Sequence, residues 1–405
     1  MRALHGLWRW MAVGSLMVAA TMPARSGPAF ADASARLGLA SADASARLKK
    51  LKAAWIYVSP VGDMGFAFGH DQARKNLAAK FPWLTTVYAE AVPESNVDRF
   101  LARYVVEQNV DVVFTCSFGF MDGTIAAAKK FPNKMFFHCA GFRREPNCGN
   151  YWGDLYQTYY LNGLMAGALT KSGKVGYVAA HPIPEVVRHI NAYALGVRAA
   201  NPKAEVHIRW LYAWYDPAKA REATEALIAD GCDALAFTED TATVVQVAEE
   251  YTKRGKPVYT FSHYSPMKQF GPDSVVSGEL MDWTPLYEDI LTRIHTGALT
   301  TNNLQDVDYF WLMREGVAQI GTQFGEPINP KFVGPLKAAM VGNVSAYDLV
   351  MERMDEMKAL KFDPFTGPIQ DNAGAWRLKD GQRATLKDLT TIDWFVDGVV
   401  GKVPR

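Results

Sequence analysis

The chain has 405 residues, 49% hydrophobic and 21% charged, with a formal charge of +1. That length holds two domains of ordinary size, and that balance excludes a disordered chain. Near-neutral charge and the lack of a basic stripe give no electrostatic basis for binding a nucleic acid, another polyanion or a membrane surface.

Arg2 and Arg9 precede an apolar segment, Trp10 to Met22, that is too short and too broken to span a bilayer. Ala29-Phe30-Ala31 then places small residues where a signal peptidase reads, which predicts a signal peptide over 1–31. No cysteine precedes Cys116, so no lipoprotein cysteine follows the apolar segment, and the mature protein is expected free in the periplasm. Ala-Asp-Ala-Ser-Ala-Arg-Leu occurs at Ala31–Leu37 and again at Ala42–Leu48. Lacking large apolar anchors, this stretch reads as a low-complexity tether over 32–50. The cysteines, Cys116, Cys139, Cys148 and Cys232, match no zinc or haem spacing. Cys116 and Cys232 read as small buried hydrophobes, whereas Cys139 and Cys148 leave a disulfide open.

From Lys52 strand-like and helix-like runs alternate. Strands are expected at Ala53–Val58, Thr86–Glu90, Val110–Cys116, Met135–Cys139, Lys174–Ala180, Val206–Tyr212, Ala234–Thr238, Val258–Ser262 and Val275–Leu280. Apolar residues at three- and four-residue spacing predict helices at Phe100–Glu107, Gly123–Lys130, Tyr159–Thr170, Val186–Ala200, Ala218–Ala229 and Thr243–Lys253. Asp216-Pro217 opens the fifth of these, and Gly231 closes it. Short loops between alternating elements imply parallel sheets covered on both faces. The alternation restarts near Lys174, which predicts a second lobe of similar topology and a cleft between the two. Another helix is expected from Trp283 to about Gly297, and Val307–Met313 is placed to return to the first lobe.

The first strand breaks at Pro60, Gly62 and Gly65, with a helical pattern from about Gly69. This puts Asp63, Phe66, Phe68 and His70 on the loop at the strand's carboxyl end, where open α/β sheets bind ligands. The loops after later strands repeat that mixture of rings and hydrogen-bonding groups. They carry Phe118, Phe120 and Asp122, then Tyr151, Trp152 and Asp154, then Trp214 and Asp216. Glu239 and Asp240, His263 and Tyr264, and finally Asp282 and Trp283 follow. From these the expected ligand-binding set is Asp63, Phe66, Phe68, His70, Phe120, Asp122, Trp152, Trp214, Asp240, His263 and Trp283. Stacking on a flat ring contributes about 0.5–1.5 kcal/mol beyond buried area. Carboxylates accept from ring N–H or amino groups, so the mixture suits a heteroaromatic ligand. Each member also has a simpler role: Asp122 as a helix cap, Phe66 and Phe68 as core, Trp214 and Trp283 as interlobe packing, His263 as a partner of nearby backbone. The convergence, rather than any single residue, carries the expectation. No Gly-x-Ser-x-Gly, His-Glu-x-x-His, phosphate loop or dinucleotide motif occurs, so neither catalysis nor a cofactor nor a metal is expected.

Four motifs carry a family resemblance: Gly62-Asp63-Met64-Gly65-Phe66 with His70-Asp71, Ser117-Phe118-Gly119-Phe120-Met121-Asp122, Leu161-Asn-Gly-Leu-Met-Ala-Gly167, and Lys171-Ser-Gly-Lys-Val-Gly-Tyr-Val178. Together they resemble the basic membrane protein (BMP) family of ABC-importer substrate-binding proteins, over nearly all of the chain from Lys52. The resemblance implies the α/β type I periplasmic-binding fold. Two doubly wound parallel-sheet lobes, joined by three crossovers, would close on a ligand in the cleft. It places the N-terminal lobe at 51–150 with 283–322, and the C-terminal lobe and tail at 151–282 with 323–405. It also implies a purine nucleoside or nucleobase ligand, with Asp63 as the first-loop acid, Trp214 as the base-stacking ring and Asp240 in the next ligand loop. Ala67 stands where relatives carry Asn. Ser262-His263-Tyr264-Ser265 replaces an acid, and Asp282 or Trp283 replaces a lysine. Because these positions hold a ribose, a nucleobase such as adenine or hypoxanthine is favoured over a nucleoside. The expected partners are that small molecule and a membrane permease, with the protein a monomer. A sugar or other heterocycle as ligand, an exported nucleoside hydrolase and a receptor-coupled sensor remain alternatives.

Overall fold

A computed structural model describes residues 50–62 and 64–404. The apolar run after Lys50 forms β1 (Leu51–Tyr57), and Ala53 to Tyr57 are fully buried, as a strand covered on both faces requires. Helix α1 (Phe66–Lys80) returns the chain to β2 (Leu84–Ala89), parallel to β1. A short helix α2 (Val97–Ala102), continued by one wider turn at Arg103–Glu107, leads to β3 (Val112–Cys116). Then come α3 (Met121–Lys130), β4 (Met135–Cys139) and β5 (Cys148–Gly153).

The second half repeats the plan with α4 (Tyr156–Leu169), β6 (Lys174–Ala179), α5 (Pro184–Ala200), β7 (Glu205–Trp210), α6 (Pro217–Ala229), β8 (Ala234–Thr238), α7 (Thr243–Lys253), β9 (Tyr259–Tyr264) and β10 (Val275–Met281). Helix α8 (Thr284–His295), β11 (Asp308–Trp311) and β12 (Ala318–Ile320) follow. The tail adds α9 (Pro330–Ala338), α10 (Ala346–Lys358) and α11 (Leu386–Thr390). Local chemistry sets these ends where the sequence marks them. Asp216 accepts from the Lys219 N–H at the start of α6, behind which stands Pro217.

One six-stranded sheet has the order β11-β5-β4-β3-β1-β2 and the other β12-β10-β9-β8-β6-β7. All pairings are parallel except β10 with β12. These are two doubly wound lobes of one topology. The strand order reverses beside β1 in one and beside β6 in the other, where such sheets bind ligands. The chain crosses between the lobes after β5, after β10 and after β11. At the crossings Asp154 N–H donates to the Trp311 carbonyl (2.9 Å) and Asp282 N–H to the Val317 carbonyl (2.8 Å), so the three segments run side by side. The glycines of the Leu161–Gly167 motif serve packing. A Cβ at Gly163 would lie 2.2 Å from the Tyr193 carbonyl oxygen, so only glycine admits α5 this close to α4.

Several expectations change. Cys148–Gly153, read as loop, is a strand buried at every position and paired on both sides. The expected lobe boundary at 150 therefore falls inside β5. Strand β12, placed by sequence in the N-terminal lobe, pairs with β10 of the other sheet. Phe66, Phe68 and His70 lie in α1 rather than on a loop, because the helix begins three residues earlier than its apolar pattern suggests. All four cysteines are free and buried. Cys139 stands opposite Tyr151, and Cys148 opposite Phe136. That offset of three residues, about 10 Å along the strands, is beyond disulfide reach. The signal-peptide and tether readings fall outside the described residues, apart from Lys50.

Candidate functional site

A narrow slot lies between the lobes at the carboxyl ends of their strands. From the first lobe it is lined by Val58 after β1, Phe66 at the start of α1, Ser117 and Phe118 after β3, Ala140 after β4, and Trp152 in β5. The second lobe supplies Glu185 in the first turn of α5, Trp214 after β7, Asp240 after β8 and Tyr264 ending β9. The slot is nearly filled by its own lining, with about 20 Å³ open to the centre of a water molecule. Ala140 (φ 61°) and Tyr264 (φ 58°) both adopt the left-handed region, which costs residues with side chains free energy and concentrates at functional sites.

The lobes touch at the slot's edge. Helix α1 has no side-chain cap of its own. Asp240, from the opposite lobe, accepts from the Phe66 N–H at 3.3 Å, placing a carboxylate at the positive end of the helix. A Cβ at Gly65 would lie 2.8 Å from the Asp240 Cα, so this glycine is what allows the approach. Phe66 also packs on Tyr264 across the gap, with ring centres 5.2 Å apart.

Four residues of the expected set thus line one cavity: Phe66, Trp152, Trp214 and Asp240. Others stand one layer behind. His70 is fully buried, stacks on Trp283 (4.0 Å, 23°) and meets Phe66 edge-on (4.3 Å, 87°). Its Nδ1 pairs with the Tyr287 hydroxyl at 2.7 Å, and burial holds the imidazole neutral, well below its usual range. Trp283 is likewise fully buried beneath Trp152. His263 lies behind Tyr264 (3.9 Å), with Nδ1 bonded to the Tyr159 hydroxyl at 2.9 Å; burial holds it neutral too. None of His70, His263 and Trp283 is among the residues that line the slot.

Three more expectations move further. Phe120 is fully buried in the apolar cluster between the first sheet and its helices, and Phe118, on the other side of the same turn, takes the slot position. Asp122 is exposed and pairs with Arg143 at the surface. Phe68 is half-buried on α1 and is not among the lining residues. Asp63 lies outside the described residues.

Sequence reasoning missed Glu185. It lies past the end of β6 in the first turn of the next helix, where an acid is equally at home with the helix dipole. Burial raises its carboxyl group to about 8 against the pull of Arg188, with Asp154 pushing it further up. Arg188 is committed elsewhere. Its Nε donates to Asp154 at 3.1 Å, a terminal nitrogen donates to Asp154 as well, and the other donates to the Leu389 carbonyl at 2.6 Å. Asp154 also accepts from Trp152 Nε1 (2.7 Å) and the Tyr156 N–H (2.8 Å), tying the first crossover to α5. Burial alone would push this acid up, but Arg188 and His189 outweigh it and hold it below the ordinary carboxylate range.

Beyond Phe118, Ala140, Trp152 and Glu185 the slot opens into a groove with about 390 Å³ open to water, walled by Arg188, Tyr309, Phe310 and the tail near Leu386. Rings and two carboxyl groups, those of Asp240 and Glu185, thus line the slot. Among the described residues its lining includes no histidine, cysteine or lysine. Among the described residues no group of His, Cys, Asp and Glu is arranged to hold a metal ion.

Residues 50–317 match the family model described as ABC transporter substrate-binding protein, PnrA-like (Bmp). A putative ABC transporter glucose-binding protein of Haloferax volcanii is 36% identical over 354 residues, covering 87% of this chain and 81% of that protein. A purine-binding protein of Brucella abortus is 33% identical over 359 residues, covering 88% of this chain and 95% of that protein. Among solved structures, an ABC transporter solute-binding protein of Aeropyrum pernix superposes with a TM-score of 0.63 at 15% identity, over 79% of this chain and 93% of that one. That last likeness establishes the fold.

Proposed function

We propose that this chain, which belongs to the Bmp family of PnrA-like ABC transporter substrate-binding proteins, captures a purine-type ring in the interlobal slot and presents it to a membrane permease. The carrying observation is that Phe66 and Trp214, from opposite lobes, line one narrow cavity together with Asp240. Phe66 and Trp214 supply faces for a flat ring, and Asp240 a carboxylate for its N–H or amino groups. Ligand in the slot would bridge the lobes where Asp240 already meets Phe66, so binding favours the closed state that a permease reads. Within that purine-type class we favour a bare nucleobase such as adenine or hypoxanthine over a nucleoside. Ala67 and the Ser262–Ser265 stretch, which depart from the ribose-holding groups that the family resemblance implies, support that preference. We read the mature protein as a monomer, free in the periplasm, with no turnover of its ligand.

A sugar ligand is the second reading, favoured by the relative named as a putative glucose-binding protein. A thermal-shift screen of adenine, hypoxanthine, adenosine, inosine and glucose separates the two. A ligand at 100 times its dissociation constant stabilises by about 2.7 kcal/mol. Stabilisation by the bases is the expected result. A shift with glucose and none with any purine overturns the reading, and release of free base from inosine would make the protein a hydrolase.

A further inference from the structure

We propose that Glu185 is a specificity-determining residue of the slot, its carboxyl O–H donating a hydrogen bond to an unprotonated ring nitrogen of the bound heterocycle. The inference rests on the purine reading above and deepens it by naming the edge of the ring that is read. Its basis is geometric. Glu185 lies in the first turn of α5 and lines both the slot and the groove beside it, so its carboxyl group borders the space a ring would fill. Among the described residues its one hydrogen-bond partner is the Tyr264 hydroxyl, which donates to Oε1 at 3.4 Å.

The groups around it disfavour a charge. On α5 itself Arg188 is the one cation near, and its guanidinium is spent on Asp154 and the Leu389 carbonyl. Asp154 faces it from the first crossover, and Asp240 lines the same slot from the loop after β8. Among the described residues Tyr264 on β9, Tyr177 on β6 and Cys139 on β4 also face it, all of them neutral when protonated. Arg144 in the groove is paired to Asp308. A buried carboxylate without its own cation costs several kcal/mol, so the group keeps its proton, and the titration near 8 agrees. A neutral acid differs from Asp240 in one respect that matters for recognition: it donates. With a donor on one side and an acceptor on the other, the slot distinguishes a ring nitrogen bearing a lone pair from one bearing a hydrogen.

Adenine and its 1-, 3- and 7-deaza analogues are the probes, titrated by calorimetry into the full mature chain between about pH 6.5 and 9. One deaza analogue, in which C–H replaces the nitrogen that is read, should bind the wild type about tenfold or more weakly than adenine. Glu185→Ala should lose about tenfold in adenine affinity and, with it, the discrimination against that analogue. Glu185→Gln, whose amide N–H also donates, should restore binding at neutral pH. Wild-type affinity should fall as the pH rises through about 8, and the Gln variant should show no such fall. Thermal unfolding of each variant reports folding separately. Unchanged affinity in Glu185→Ala, or a wild-type pH profile in Glu185→Gln, overturns the inference while leaving the purine reading intact. Absence of adenine binding by the wild type overturns both.

Discussion

The two lobes share one strand order but back the slot with different chemistry. Behind Phe66 the first lobe stacks rings: His70 lies on Trp283, Tyr287 bonds His70, and Trp55 stacks on Phe114 at 4.8 Å. Beside and behind Tyr264 and Asp240 the second lobe buries groups that titrate: Glu185 in the slot wall, and Asp154 with Arg188, Glu279 and the neutral His263 behind it. Rings are held by volume, and charges by their partners. The first wall should therefore respond to lost volume above the range in which His70 titrates, and the second to lost pairing in a pH-dependent way.

The largest effects should come from one substitution in each wall. Trp283→Ala empties a fully buried indole site and should cost about 3–5 kcal/mol in urea unfolding, with little change between pH 7 and 9, where His70 beside it is neutral folded and unfolded alike. Arg188→Leu strips Asp154 of its buried cation and should cost about 3–5 kcal/mol at neutral pH. Its cost should shrink on acidification, because the carboxyl group that Arg188 held low can then take up a proton. Equal pH dependence in the two variants would erase the distinction between the walls.

Next in size is the slot itself. Trp214→Ala should lose most of the ligand affinity, at least about 2 kcal/mol or thirtyfold by calorimetry. It should leave stability nearly intact, since Trp214 is only half-buried. Barely changed affinity would rule out stacking on this ring.

Glu279 sharpens the comparison from the other direction. Burial raises its carboxyl group to about 8 from an ordinary 4.5, while Asn162 donates to it at 2.7 Å. The unfolded chain therefore loses this proton first, and the penalty to folding grows from about pH 4.5 to about 8. Glu279→Gln should remove that penalty, stabilising by about 1–3 kcal/mol at pH 8 and by almost nothing at pH 4. A gain that is the same at both pH values would place its origin in packing. The smallest effect expected is that of Asp240→Ala, about 1 kcal/mol, through loss of the carboxylate that the second lobe lends to the start of α1.

Much of this arrangement is legible in the chain. Apolar runs separated by capped helices mark nearly every strand, and the strand-end rule finds Phe66, Trp152, Trp214 and Asp240. Strand β5 escapes it because Cys-Gly-Asn-Tyr-Trp-Gly has little strand character of its own. Pairing with β4 and with β11, which arrives more than 150 residues later, holds it in place. Phe118 and Phe120 share one short turn, and nothing local says which ring faces the gap and which the core. Glu185 resembles an ordinary first-turn acid until its surroundings are known.

Periodicity and turn chemistry act within a few residues. For that reason the sequence by itself determined the alternation of strands and helices, the repeated lobe and the edge on which the loops gather. Which ring lines the slot, which stands a layer behind it, and whether Glu185 keeps its proton were decided by the tertiary structure alone. Facing and desolvation are set by groups brought close from the opposite lobe, and no local pattern encodes their distance.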